Sequence, residues 1–183
     1  MKMRAISLSR FAVLIVLSVP VFAQQFNSDN LAPYIPSPQI VVDRMLELAR
    51  VKPGETVYDL GSGDGRILIT AARKFKAKAV GIELSPELCK ATAEKVARLG
   101  LQDQIKVVHD NLLKVDLSPA DVVTIYLLTS SNSRLRPNLE KYLHPGARVV
   151  SNDFEIRGWT AKEVVTLKID GTQHTIYLYE IKK

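Results

Sequence analysis

Apolar residues recur along most of the chain at two spacings, and these spacings predict alternating helices and strands. Between Val41 and Ala49 they return every three or four residues, which is the period of one helix face. Ser37 is predicted to be the N-cap of this helix, with Pro38 at its first position. From residue 56 to residue 60 the pattern changes to a short β-rich run that stops at glycines.

The same alternation continues towards the C-terminus, where Asp170 and Gly171 suit a tight hairpin turn. The predicted helices cover about 38–50, 66–75, 86–100 and 133–143, and the predicted strands 56–60, 77–84, 105–109, 122–128, 147–152, 164–169 and 174–181. Strands that alternate with helices pair in parallel through right-handed crossovers. The sequence therefore predicts an α/β fold, a Rossmann-like doubly wound and mostly parallel seven-stranded sheet that ends in an antiparallel hairpin.

Composition supports one folded domain without disulfides. The chain has 183 residues, of which 46% are hydrophobic and 24% charged, values typical of globular proteins. Cys89 has no partner cysteine in the sequence, and the three histidines are scattered. This pattern predicts neither a disulfide nor a metal centre.

The N-terminus has the three parts of an export signal. Basic residues lie among the first ten, an uncharged apolar run covers 11–19, and a small-x-small pattern follows at 21–23. We predict a signal peptide over 1–23 and one domain over 24–183. The protein would then be exported or periplasmic, or tethered to the membrane if the segment is not cleaved; it would be cytoplasmic if the signal is not used.

Charge adds little evidence for a nucleic-acid partner. The formal net charge is +6, and part of it comes from the N-terminal segment. The remaining Lys and Arg residues are spread along the chain, whereas nucleic-acid binding usually needs a concentrated basic patch. We therefore do not expect a nucleic acid as the partner.

A glycine-rich loop over 59–66 connects the first predicted strand to its helix. This is the carboxyl edge where open α/β sheets bind ligands. A dinucleotide fingerprint places its third glycine three residues after its second, but Gly63 and Gly65 are two apart. Asp64 lies inside the loop, where it would repel a pyrophosphate.

A cationic nucleoside fits this loop better, and S-adenosylmethionine is one. Asp59 can attract its cationic end, and Glu83, at the end of the second strand, can accept hydrogen bonds from the ribose hydroxyls. Asp110 and Asn111, after the third strand, can accept from the adenine amino group. The alternative interpretations are a helix cap for Asp59, a surface charge for Glu83 and a turn residue for Asp110.

Together the motifs resemble the class I S-adenosylmethionine-dependent methyltransferases. More narrowly, they resemble the small archaeal protein lysine methyltransferases and the mitochondrial enzymes that modify lysines of the adenine nucleotide translocase and the ATP synthase c subunit. The resemblance extends from about Leu31 to the C-terminus, and its segments are 34–38, 59–66, 80–83, 126–129, 139–140, 145–149 and 152–159. The first and last of these segments are the more selective ones.

The resemblance implies S-adenosylmethionine as the cofactor and a lysine of a protein substrate as the acceptor. The implied cofactor contacts, with neighbours in the same motifs, are Tyr34, Pro36, Asp59, Gly61, Ser62, Gly63, Glu83, Leu84, Asp110, Asn111 and Tyr126. The Asn/Asp-Pro-Pro-aromatic motif of amide and adenine methyltransferases is absent at 128–131, which counts against those acceptors but not against lysine. The alternatives are methylation of RNA or a small molecule, and a non-catalytic cofactor-binding module.

A lysine acceptor predicts an aromatic, desolvated channel, because the ammonium must lose its proton before it can attack. Tyr126 is the candidate catalytic aromatic residue, and Phe154 and Trp159 are candidates to line the substrate channel. Asp153 is the candidate to orient the amine or receive its proton. Tyr126 and Phe154 could instead be core residues, Trp159 a lid or packing residue, and Asp153 the cap of a turn.

Overall fold

The structure is a computed structural model and describes residues 33–182. The predicted signal peptide lies outside the described residues. The helices are α1 (Gln39–Leu48), α2 (Arg66–Phe75), α3 (Pro86–Arg98) and α4 (Thr129–Tyr142), and the strands are β1 (Thr56–Leu60), β2 (Lys78–Glu83), β3 (Ile105–His109), β4 (Val122–Ile125), β5 (Arg148–Asn152), β6 (Glu163–Ile169) and β7 (Thr172–Glu180). Within 33–182, no helix is both long enough and apolar enough to cross a membrane.

All seven strands form one sheet in the order β3-β2-β1-β4-β5-β7-β6. The first five strands in this order are parallel, whereas β7 runs antiparallel to both of its neighbours. The predicted fold class is confirmed. Strand order reverses between β1 and β4, and a crevice opens at the carboxyl ends of strands at such a reversal.

Helices cover both faces of the sheet. On one face α1, α2 and α3 bury residues such as Met45, Leu68 and Val96 against the strands. On the other face α4 contributes Leu135 and Leu139. These two cores hold the strands rigidly, so the loops at the carboxyl edge project from a fixed frame.

Three predicted element boundaries are wrong. Ser37 does not cap α1; Pro38 is the N-cap residue, and the helix has no side-chain cap. Ser37 is buried, and its carbonyl oxygen accepts a hydrogen bond from Arg66. The fourth strand ends at Ile125, where its pairing with β5 ends, and α4 therefore begins earlier than predicted, at Thr129.

The C-terminal hairpin forms as predicted. Asp170 and Gly171 both have positive φ, 48° and 82°, which a two-residue turn between twisted strands requires. The hairpin inserts β7 between β5 and β6, so that the end of β5 lies beside the start of β7. This insertion brings residues from distant parts of the chain to the carboxyl edge of the sheet.

Candidate active site

The glycine loop lies at the carboxyl end of β1 and is fastened to β2. The amides of Gly61 and Ser62 both donate to the carbonyl of Ile82, at 2.9 and 3.1 Å. Gly61 and Gly63 have φ values of 85° and 50°, a region that glycine adopts without the cost of a Cβ. Gly61 is exposed and has no Cβ, so a ligand could approach the loop backbone closely at this residue.

Glu83 is buried, with 8% of its surface exposed, and it ties the loop to β2. Its two carboxylate oxygens accept hydrogen bonds from the amides of Gly63 at 2.8 Å and Ser85 at 2.9 Å. The interpretation of Glu83 as a surface charge is therefore wrong. Each carboxylate oxygen has a second lone pair, so Glu83 can still accept from ligand hydroxyls.

Asp59 is buried at 4% exposure, and Thr124 on β4 donates to its Oδ1 at 2.8 Å. The interpretation of Asp59 as a helix cap is wrong, because Gly65 is the N-cap residue of α2. Burial raises the pKa of Asp59 to about 7, and the negative charges of Glu83 and Asp64 act in the same direction. This carboxyl group is poised to ionise when a cation is placed beside it.

The charge of Asp64 in the loop is compensated. Arg66 donates to both carboxylate oxygens, from Nε at 2.9 Å and from Nη2 at 2.8 Å, and these bonds lower the pKa of Asp64.

The ring of Tyr34 lies over Gly63, where a Cβ would be 2.6 Å from Tyr34 Cε2. Tyr34 and the neighbouring Pro36 are exposed, so the N-terminal segment forms an outer wall of the loop.

Asp110 and Asn111 lie at the end of β3, next to the end of β2. Asp110 is exposed, and its Oδ1 accepts from the amide of Asn111 at 2.6 Å. Asn111 in turn accepts from the amide of Leu113 at 3.0 Å. Leu84 follows Glu83 and accepts, through its carbonyl, a hydrogen bond from His109 Nε2 at 2.9 Å. The contact of Asp110 with adenine stays a prediction.

The structure brings together three of the four residues predicted to handle the acceptor. Tyr126, directly after β4, stacks on Phe154, with ring centroids 6.1 Å apart. The Tyr126 side chain lies next to the carboxylate of Asp153, which follows β5. Burial and this negative charge raise the pKa of Tyr126, so the phenol stays neutral and can donate a hydrogen bond to Asp153.

Trp159 is held in a different place. Its Nε1 donates to Glu140 of α4 at 2.9 Å, and its ring meets the ring of Tyr179 edge-on, with centroids 5.6 Å apart. Trp159 thereby packs against the core under α4. A channel role for Trp159 stays a prediction, and its contacts are those of a packing residue.

A family model described as the ANTKMT methyltransferase domain matches residues 59–163, more than half of the chain. The chain belongs to this methyltransferase family. The match begins at Asp59 and includes the glycine loop, Glu83, Tyr126 and Asp153. These residues therefore lie inside the matched segment, whereas Tyr34 and Pro36 precede it.

Individual relatives agree with this assignment. The methyltransferase is 49% identical, over 81% of its length and 93% of the relative's, to a protein-lysine N-methyltransferase of Saccharolobus islandicus. It is 34% identical to the adenine nucleotide translocase lysine N-methyltransferase of Mus musculus, over 81% of this chain but only 63% of the mouse protein. The chain thus spans less than two thirds of that mouse relative.

A solved structure has the same fold. The chain superimposes, with a TM-score of 0.76 and 44% identity, on a Salinibacter ruber protein described as an RNA methyltransferase in complex with S-adenosyl-L-homocysteine. The alignment covers 81% of this methyltransferase and 95% of that chain. The names of these two relatives therefore state different methyl acceptors: a protein lysine for the Saccharolobus islandicus protein and RNA for the Salinibacter ruber protein.

Three further residues of the methyltransferase site, Thr124, Asn152 and His174, have no local sequence signal. Thr124 and Asn152 share a sheet face with Asp59 on the adjacent strands β1, β4 and β5, each two residues beyond a core valine. Asn152 is fully buried, and neither atom of its amide has a hydrogen-bond partner among the described residues. His174 on β7 contacts Asp153. Only strand order brings these residues together, so sequence reasoning missed them.

Proposed function

We propose that this methyltransferase transfers a methyl group from S-adenosylmethionine to the side-chain amine of a lysine in a protein substrate. The observation that carries the proposal is the aromatic pair Tyr126 and Phe154 next to the Asp153 carboxylate, at the ends of β4 and β5. Aromatic faces beside a carboxylate suit a cationic amine. The 49% identity to a protein-lysine N-methyltransferase supports the same acceptor.

The residues present fit the cofactor. Ser62 Oγ and the Asn152 amide are buried polar groups without partners among the described residues, and such groups in native proteins usually bind a ligand or water. Asp59 would hold the cationic amino acid end, Glu83 the ribose hydroxyls, and Asp110 with Asn111 the adenine. Gly61 and Gly63, which lack a Cβ, would let the cofactor approach the loop backbone, and the remaining contacts would come from Tyr34, Pro36, Ser62, Leu84 and Tyr126. When bound, the cofactor supplies an activated methyl group on its sulfonium.

The protein's task is to present the lysine amine neutral and in line. A lysine pKa of about 10.4 means that deprotonation at pH 7 costs about 4.6 kcal/mol. Burial between Tyr126 and Phe154 would disfavour the ammonium and offset part of this cost. Asp153 orients the Tyr126 hydroxyl, whose remaining lone pairs can accept a hydrogen bond from the amine. Alignment then supplies much of the remaining acceleration.

RNA is the second candidate acceptor, because the Salinibacter ruber protein at 44% identity is described as an RNA methyltransferase. Sequence-specific RNA recognition stacks unpaired bases on aromatic side chains, and Tyr126 and Phe154 could also serve that purpose. We favour lysine because Asp153 would attract an ammonium and repel phosphates.

The test is incubation of the purified protein with methyl-labelled S-adenosylmethionine and separate pools of cellular protein and RNA. We expect label in the protein pool, located on lysine side chains by mass spectrometry. Label confined to RNA would support the second candidate. Binding of S-adenosylhomocysteine without transfer to either pool would overturn the enzymatic proposal in favour of a binding module.

Two variants test whether labelling depends on the proposed cofactor and acceptor residues. Glu83→Ala should abolish both cofactor binding and labelling, because it removes the buried carboxylate that fixes Gly63. Tyr126→Ala should reduce turnover more than cofactor affinity. A Tyr126→Ala protein with unchanged turnover would remove Tyr126 from the mechanism.

We also propose that residues 1–23 direct the protein out of the cytoplasm. The support is the basic, apolar and small-x-small pattern of that segment. Cell fractionation followed by sequencing of the mature N-terminus tests it, and a start near Gln24 outside the cytoplasm is the expected result. A cytosolic protein that begins at Met1 would contradict export.

A further inference from the structure

Asp153 is the most constrained polar residue at the acceptor end of the site. Three hydrogen bonds join it to β7: its amide donates to the Thr175 carbonyl at 2.7 Å, its Oδ1 accepts from the Thr175 amide at 2.8 Å, and its Oδ2 lies 3.0 Å from His174 Nδ1. The Tyr126 side chain lies next to this carboxylate. Two of these bonds hold the carboxylate itself, one on each oxygen, and the third fixes its backbone.

The backbone at Asp153 is in a rarely populated conformation. Its φ is +59°, and the amide of Phe154 donates to the carbonyl of Asn152 at 2.7 Å across it. An i→i+2 bond around a residue with positive φ is the rarer, strained form of the γ-turn. Such strain persists only where the surroundings hold it, and it concentrates at functional sites. The contacts from β7 are what hold it here.

We propose that His174 is a positioning residue for methyl transfer, acting on the acceptor through Asp153 and Tyr126. The proposal rests on the proposed function. With Nδ1 protonated, His174 donates to Oδ2 and fixes the carboxylate. The carboxylate in turn accepts from the Tyr126 hydroxyl and directs the free lone pairs of that oxygen towards the amine.

The surroundings of His174 make this interaction specific. The histidine is buried at 8% exposure. His174 on β7 is paired with Leu167 on β6. The neighbours of Leu167 on the same face of β6 are Val165 and Ile169, so all three of these residues are apolar. The histidine Nδ1 lies 3.0 Å from the Asp153 carboxylate. A histidine ring that makes a hydrogen bond to Asp153 among apolar neighbours is better suited to positioning that carboxylate than to filling space in the core.

Two isosteric substitutions test the role. In His174→Asn the side-chain amide nitrogen occupies nearly the position of Nδ1 and can donate to Asp153, whereas in His174→Gln the nitrogen is placed nearer the position of Nε2. We expect His174→Asn to keep kcat within about threefold of the wild type and His174→Gln to lower it about 10–100-fold, the effect of a small misplacement at the reacting centre. Both should keep the KM for S-adenosylmethionine and the affinity for S-adenosylhomocysteine.

The comparison separates positioning from folding, because a merely structural role would affect both variants alike. Equal loss of kcat in both variants, or no loss in His174→Gln, overturns the proposal. His144→Asn, at an exposed histidine paired with Asp121, controls for the substitution itself. The wild type is tested first: failure to methylate lysine overturns the proposed function, whereas normal wild-type transfer with unchanged variants overturns only the role of His174.

Discussion

The pKa of Asp59 predicts that cofactor affinity depends on pH. Burial raises this pKa to about 7, so the carboxyl group of the ligand-free protein is half protonated near neutral pH. A cationic ligand end favours the ionised form. With Asp59 at the cationic end, as proposed, ligand binding removes a proton from Asp59, and affinity falls as pH falls below the pKa of the free protein.

The size of the effect follows from the fraction ionised. For one group with a pKa of about 7, the apparent Kd exceeds its high-pH limit about twofold at pH 7, about 10-fold at pH 6 and about 100-fold at pH 5. The α-amino group of the ligand titrates at about 7.7–8.0, so the ligand stays cationic across this window. The change in the apparent Kd between pH 7 and pH 5 therefore reports the ionisation of the protein and not that of the ligand.

The assay is calorimetric titration of S-adenosylhomocysteine into the protein between pH 5 and pH 8, with Asp59→Asn as the matched control. Asparagine can keep the hydrogen bond from Thr124 but cannot ionise. We expect the variant to bind more weakly at pH 8 and to show a much flatter dependence on pH. Proton release, measured from the heat in buffers of different ionisation enthalpy, should approach one proton per ligand near pH 6.

Either of two results would refute this reasoning. The first is a wild-type affinity that changes less than about twofold between pH 7 and pH 5.5, since one group with a pKa of about 7 requires more than about tenfold. The second is an equally steep pH dependence in Asp59→Asn, which would assign the proton to another group.

Three further predictions test the loop, the packing of the tryptophan and the core. Gly63→Ala should weaken S-adenosylhomocysteine binding at least about tenfold, because the new Cβ meets Tyr34 at 2.6 Å, whereas Gly54→Ala, also at positive φ but with nothing within 4 Å, should leave binding unchanged; equal binding in both would contradict the role of the close contact. Trp159→Phe should cost about 1 kcal/mol of unfolding free energy in chemical denaturation, by loss of the bond to Glu140, and leave kcat unchanged; a large fall in kcat would return Trp159 to the substrate channel. Leu139→Ala, at a fully buried position of α4, should cost about 2–5 kcal/mol in the same measurement, and a loss under about 1 kcal/mol would mean that this face is loosely packed.

Local pattern was sufficient for much of the cofactor half of the site. The run from β1 through the glycine loop to Glu83 is one strand-helix-strand unit, and parallel strands place their carboxyl ends at the same edge. Asp59 and Glu83 could therefore be assigned to one edge before any contact was known. Ser37 and the start of α4 were misassigned because tertiary contacts, with Arg66 and at the end of the β4-β5 pairing, override the local signals there.

Residues close together in the chain specify the alternation of helices and strands, the position of the glycine loop and the two carboxylates of the cofactor half. The contacts of Thr124 with Asp59, of Trp159 with Tyr179 and of His174 with Asp153 exist only in the assembled sheet. These contacts depend on which strands are neighbours. β7 lies beside β5 because this strand order buries the apolar residues on both faces of the sheet. The free energy of that burial depends on all the strands and helices together, so no short segment of the sequence encodes it.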